Sequence, residues 1–176
     1  MMTWRGRPFT APCHRLALVI PNLHPAIKPP IDKRARHIFD GDCFSITRGR
    51  KTVFVRIWGA DAPECPQPYG LDAKRALIQL LARHEVSLQI VSTDQFHRKV
   101  CRVSTPECPD VSLEMIRRGL AWHEIRFAPH AATYAQAEAA ARKAKIGLWA
   151  DPNPMPPWVW RRTHNTAVPN IETPPA

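Results

Sequence analysis

Five charged residues in the middle of the chain have the types that phosphate chemistry uses: Asp42, Arg56, Asp61, Glu64 and Arg98. Carboxylates brought together from separate segments can hold a hard divalent cation, which takes oxygen ligands in irregular geometry and lets water complete the set. A carboxylate on a stiff turn can take a proton from water, and arginine presents a planar fork that shares developing negative charge bidentately. Each residue also has a plainer reading. Asp40-Gly41-Asp42 is ordinary hairpin-turn chemistry, Asp61-Ala62-Pro63-Glu64 is a good surface turn, and a single arginine is most often a solvated charge. Arg56 fits the plain reading least well. It stands among Val53, Phe54, Val55, Ile57 and Trp58, where a charge without a partner is costly.

The elements that must position these residues can be read from pattern. From Ala35 to Val103 the chain is rich in β-branched and aromatic runs separated by turn chemistry. ARHIFD and CFSITR flank Asp40-Gly41, a pair suited to a primed turn, and Gly49-Arg50-Lys51 joins CFSITR to TVFVRIWG, which gives a three-stranded meander. Ala73, Ala76, Leu77, Leu80 and Leu81 then recur at helical spacing, predicting a helix from about Gly70 to Arg83. EVSLQIVSTDQ and RKVCRVST predict a further antiparallel pair turning near Phe96 and His97. VSLEMIRRGLA predicts a second helix ending near Gly119, and Thr133 to Lys145 a third. This order is compatible with a five-stranded Greek-key barrel of OB type carrying about three α-helices.

Proline and charge mark the borders. Of 19 prolines, 6 precede residue 35 and 7 follow residue 150, so the ordered domain is expected at 35–150, between a basic extension at 1–34 and a Pro-rich tail at 151–176. The net charge is +10; six basic residues against one acidic fall before residue 35, and seventeen against twelve in the domain. A basic body with a basic arm points to a polyanionic partner, nucleic acid before an anionic membrane surface. Cys13, Cys43, Cys65, Cys101 and Cys108 include no C-x-x-C pair, which argues against a zinc site; Cys101 and Cys108 could close a small disulfide loop or stay free. The longest apolar run near the start, LALVI, is stopped by Pro21, so neither a membrane span nor a signal peptide is read, and the location leans weakly to the cytoplasm.

IFDGDCFSI, FVRIWGADAPE, DQFHR and RRGLA, in this order, resemble the corresponding motifs of the staphylococcal nuclease (thermonuclease) family, over about Ala35 to Trp149. The resemblance implies an OB-fold enzyme that hydrolyses DNA and RNA with little sequence preference, leaves 3′-phosphates and acts as a monomer. It implies that Asp42, Asp61 and the backbone carbonyl of Ala62 hold Ca2+, that Glu64 is the general base, and that Arg56 and Arg98 grip the scissile phosphate. Ala62 replaces a family threonine, which leaves a main-chain ligand untouched. Phe96 stands for a tyrosine that touches phosphate; Ile125 and Phe127 stand for paired tyrosines near the base, and Phe127 keeps a stacking face. ECPQPYG is shorter than the family's lysine-bearing loop. His97 and His123 lie in no His-rich catalytic pattern, and Trp149, Trp158 and Trp160 read as packing anchors. The competing readings are a non-catalytic OB module that binds nucleic acid or protein, and an interaction protein working through its Pro-rich arms.

Overall fold

Alternation and turn chemistry produce a mainly-sheet protein with helices, seen in a computed structural model that describes residues 31–48, 50–82 and 84–164. In chain order the elements are β1 (Ile31–Lys33), β2 (Ala35–Ile38), β3 (Cys43–Arg48), β4 (Lys51–Ile57), β5 (Ala60–Asp61), α1 (Gly70–Leu81), β6 (Val86–Thr93), β7 (Lys99–Ser104), α2 (Val111–Arg117), β8 (Trp122–His123), α3 (Ala132–Lys143), a 3-10 turn (Gly147–Ala150) and α4 (Pro157–His164). Six strands form one sheet in the order β1-β6-β7-β4-β3-β2, with β4 and β7 parallel and the other neighbours antiparallel; β5 and β8 pair separately.

The outer strands β1 and β2 are successive halves of residues 31–38, parted only by Arg34, so one short segment pairs with β6 at one margin and with β3 at the other. β1, Ile31–Lys33, lies within the segment expected as the N-terminal extension, because backbone pairing with β6 depends on neither proline content nor charge. The rest of the N-terminal extension, the last residues of the tail and the turn residue Gly49 lie outside the described residues.

Along β3 and β4 the period of two sends Phe44, Ile46, Val55 and Ile57 into the core, where they meet Leu77 and Leu81 of α1, Val86 and Leu88 of β6, and Met115 and Ile116 of α2. Arg56, between Val55 and Ile57, points to the opposite face. Among the described residues there are four α-helices rather than about three. The extra helix, α4, lies in the segment expected to be tail, and its prolines do not prevent it: Pro157 occupies the first helical position, where a missing N–H costs nothing. Cys101 and Cys108 are both free.

Two glycines set the spacing on which the site depends. Gly41 does not take the left-handed conformation expected of an Asp-Gly turn; the loop is instead closed by Phe39 N–H donating to the Cys43 carbonyl (2.9 Å) and Asp42 N–H donating to Asp40 Oδ1 (3.0 Å). Gly41 is needed for closeness, since a Cβ there would lie 2.6 Å from both Ala62 Cβ and Ala73 Cβ. Gly70 allows the start of α1 to pack directly on the Glu64 carbonyl, with no room for a methyl group.

Candidate active site

Asp42 leaves the β2–β3 loop and Asp61 ends β5, and they meet at one guanidinium nitrogen: Arg56 Nη2 lies 2.7 Å from Asp61 Oδ1 and 3.2 Å from Asp42 Oδ2. The partner that an arginine in an apolar strand requires is thus a pair of buried carboxylates. Ala62 enters through its N–H, which donates to Asp42 Oδ2 at 3.1 Å and ties the β5 turn to the β3 loop.

Glu64 sits on the turn that follows. Gln67 holds this turn from both directions, accepting at Oε1 from Glu64 N–H (3.2 Å) while its own N–H donates to the Glu64 carbonyl (2.8 Å). The Glu64 carboxylate remains partly open to solvent, in contrast to Asp61 beneath it, which is completely buried.

Arg98 arrives from the β6–β7 turn, and Asp94 organises that turn. Its Oδ1 accepts from the N–H groups of Phe96 (3.0 Å) and Arg98 (2.9 Å), and its Oδ2 accepts from Arg98 Nε (2.8 Å). His97 takes the left-handed backbone conformation that completes the reversal. Arg98 Nη1 then lies 3.8 Å from the Sγ of Cys43, the residue paired with Arg56 across the β3–β4 ladder, so both arginines come to the same face of the sheet.

Arg56, Glu64, Arg98, Phe96 and Phe127 all line one cleft of about 810 Å³; Asp42 and Asp61 lie behind Arg56 rather than on its wall. Phe127 is 60% exposed at the cleft, with the Arg126 guanidinium 4.7 Å from its ring centroid, and Phe96 is 5.4 Å below Arg98. Among the described residues no three or more His, Cys, Asp or Glu side chains gather as metal ligands, so a cation here would rest on two carboxylates, backbone oxygen and water.

The model of the staphylococcal nuclease homologue family matches residues 54–151, from β4 through the 3-10 turn. A protein of Shigella flexneri described as a micrococcal nuclease is 32% identical over 140 residues, covering 74% of this chain and 80% of that one. The chain belongs to the staphylococcal nuclease family. An uncharacterized endonuclease of Haemophilus influenzae is 36% identical over 130 residues, 73% of this chain and 72% of its own. A probable staphylococcal-like nuclease of rice, Oryza sativa subsp. japonica, is 36% identical over 115 residues, 64% of this chain and 30% of that protein.

In this family member the two buried carboxylates are electrostatically unlike. Burial pushes Asp42 well above the usual carboxylate range of 3.8, and its attraction to Arg56 does not cancel that cost. Burial also acts against Asp61, but the guanidiniums of Arg56 and Arg161 outweigh it and hold the group below its ordinary value. Arg56 and Arg161 lose solvation yet are raised by the carboxylates around them, so both stay charged. Burial, with Asp40 and Asp42 adding to it, pushes the Cys43 thiol up to about 12, so it stays neutral between the charged groups.

Two contributors to the site of this nuclease homologue are absent from the sequence reading. Asp94 could have been found from its place four residues before Arg98 in DQFHR, a spacing that suits a carboxylate closing a turn on its own arginine. Arg161, in α4, contacts both Asp61 and Glu64: Nη2 lies 2.7 Å from Asp61 Oδ2, and Nη1 lies 3.1 Å from Asp61 Oδ1 and 2.7 Å from Glu64 Oε1. Its signal was the run PPWVWRR, in which a Pro-Pro start is followed by aromatics and arginines within two helical turns.

Proposed function

We propose that the chain is a calcium-dependent nuclease, a phosphodiesterase that cleaves DNA and RNA with little sequence preference and leaves 3′-phosphates. The observation that carries this reading is the juxtaposition in one cleft of two guanidiniums and a partly open carboxylate, with two buried carboxylates joined to the same arginine behind them. Fold supports it as well. Counting 31–38 as one bent strand, the neighbour relations run in the order expected of a five-stranded OB-type Greek key, with the parallel β4–β7 contact in place.

The donor set suits a hard cation. Asp42 and Asp61 offer only oxygen, come from different elements, and lie within reach of a single charged nitrogen. Together with the Ala62 carbonyl they would hold Ca2+, which supplies Lewis-acid stabilisation of phosphate charge when bound. Arg56 and Arg98 bind non-bridging phosphate oxygens and share the charge that accumulates as phosphorus becomes pentacoordinate. Glu64 accepts a proton from the attacking water as the new P–O bond forms. The bond from phosphorus to the 5′ oxygen breaks, and that oxygen takes up a proton. Phe127, and less directly Phe96, offer π-faces to neighbouring bases, which accounts for weak sequence preference.

Incubating supercoiled plasmid with the purified protein, with calcium and with a chelator, tests the reading. Cleavage confined to the calcium arm, with 3′-phosphate ends, is the expected result. Binding without cleavage would favour the non-catalytic OB module, whose case otherwise rests on no feature of this cleft. A monomer is expected on size-exclusion chromatography. Among the described residues no helix is long and apolar enough to cross a membrane.

A further inference from the structure

Arg161 takes the oxygens that a divalent cation would need. Its fork covers Oδ2 of Asp61 at 2.7 Å and reaches Oδ1 at 3.1 Å, where Arg56 Nη2 already lies at 2.7 Å. The same Nη1 holds Glu64 Oε1 at 2.7 Å, so one side chain engages both a proposed ligand and the proposed base. A carboxylate oxygen that already accepts a guanidinium N–H has less room to meet an attacking water. Three carboxylate oxygens, both of Asp61 and one of Glu64, are thus engaged by Arg161, so a divalent cation at Asp61 and the Arg161 fork compete for the same atoms.

An arginine cannot resolve that conflict by giving up its proton, as a lysine could, so it has to move. α4, which carries it, is tied to the body by the buried Pro157, by a Trp158 ring set edge-on to Trp122 at 5.5 Å and, just before the helix, by the Gln67 Nε2 hydrogen bond to the Met155 carbonyl (2.6 Å). The Arg161 side chain is itself 27% exposed at the cleft rim, so its exit crosses no packed core.

We propose that Arg161 is a built-in counter-cation of the acidic cluster: without a divalent ion it neutralises Asp61 and blocks Glu64, and cation binding at Asp61 displaces it and loosens α4. The proposal rests on the reading of Asp42 and Asp61 as cation ligands. It makes α4 an autoinhibitory latch that couples exposure of the base to occupancy of the cation site.

Calcium binding to the full chain, followed calorimetrically for the parent and Arg161→Gln, reads the competition directly, and amide hydrogen exchange over 157–164 with and without calcium reads the latch. Arg161→Gln is expected to bind calcium about 5- to 150-fold more tightly, the usual span of coupling between linked sites. Calcium is expected to speed exchange in α4 of the parent, a measurement that needs no variant. Equal affinity in the two proteins, or α4 exchange that is unchanged or slowed by calcium, overturns the latch and leaves the cation site standing. No binding to either protein overturns both readings, and Asp42→Asn in the Arg161→Gln background, expected to lose the gain, shows that the calcium measured is at this site.

Discussion

Arg98 is fixed by Asp94, and replacing Asp94 separates the two jobs that this carboxylate does. Asp94→Asn keeps an oxygen for the Phe96 and Arg98 N–H groups at 3.0 and 2.9 Å, so the turn should survive. It loses the 2.8 Å charge-assisted bond to Arg98 Nε, a class worth about 1.5–3 kcal/mol. The Arg98 side chain is only 9% exposed and faces Arg56 in the same cleft, so water compensates little, and a loss of about 2–3 kcal/mol is expected. Asp94→Ala also removes the two backbone bonds, one of them exposed, and should cost about 3–4 kcal/mol. Activity should suffer in both. A guanidinium that no longer points at the phosphate loses transition-state stabilisation of the order of 10²–10³ in kcat. Urea denaturation gives the stability and cleavage of a fluorescent oligonucleotide gives the rate. Asp94→Asn that is stable and cleaves like the parent would show that Arg98 is held by something else.

Gly70→Ala places a methyl group against the Glu64 carbonyl, and because backbone must shift to admit it, a loss of at least ~1–3 kcal/mol together with a large fall in cleavage is expected in thermal unfolding and activity assays. In chelator the two buried aspartates should respond oppositely. Asp61 is held below 3.8 by its arginines, so its contribution to stability is full above pH 3.8 and is lost as pH falls through its lower folded value; Asp61→Asn should therefore destabilise the protein at pH 7, by about 3 kcal/mol given partly exposed partners. Asp42 is raised, so its favourable contribution is present below pH 3.8 and is lost as pH rises through its folded value; Asp42→Asn should stabilise the metal-free protein at pH 7, read by the shift in urea midpoint. Removing residues 1–30 should leave the fold intact while weakening binding to long DNA through lost phosphate contacts, whereas removing 1–34 deletes β1 and its ladder with β6 and should lower the melting temperature markedly.

Much of the scaffold was legible in the sequence because its signals are local. Alternation in CFSITR and TVFVRIWG predicts β3 and β4, and helical spacing from Ala73 to Leu81 predicts α1, with ends within two residues of those observed. The lone charge of Arg56 called for a partner in the sequence, but that the partner is the Asp42 and Asp61 pair is visible only in the fold. What was not legible is long-range. Nothing local in IDK says that β1 will pair with β6 some 55 residues away, because its register depends on a ladder formed across the sheet. Nor does the chain near Arg161 show that its fork ends on Asp61, 100 positions earlier. Gly41 illustrates a subtler failure. Asp-Gly is good turn chemistry, yet the glycine is required by the methyl groups of Ala62 and Ala73, which only the folded arrangement brings there.

If these residues form a calcium-dependent hydrolytic centre with separate roles, a calcium titration of plasmid cleavage separates the parent, Glu64→Gln, Asp42→Asn and Arg98→Lys. Glu64→Gln is expected to lower turnover by about 10²–10⁴-fold, the range for a positioned acid–base group, with the calcium midpoint little changed. Asp42→Asn should shift the midpoint to higher calcium and recover part of the rate there, and Arg98→Lys should lower the rate at an unchanged midpoint. Full activity of Glu64→Gln, or cleavage by the parent that persists in chelator, would mean that these residues form no such centre.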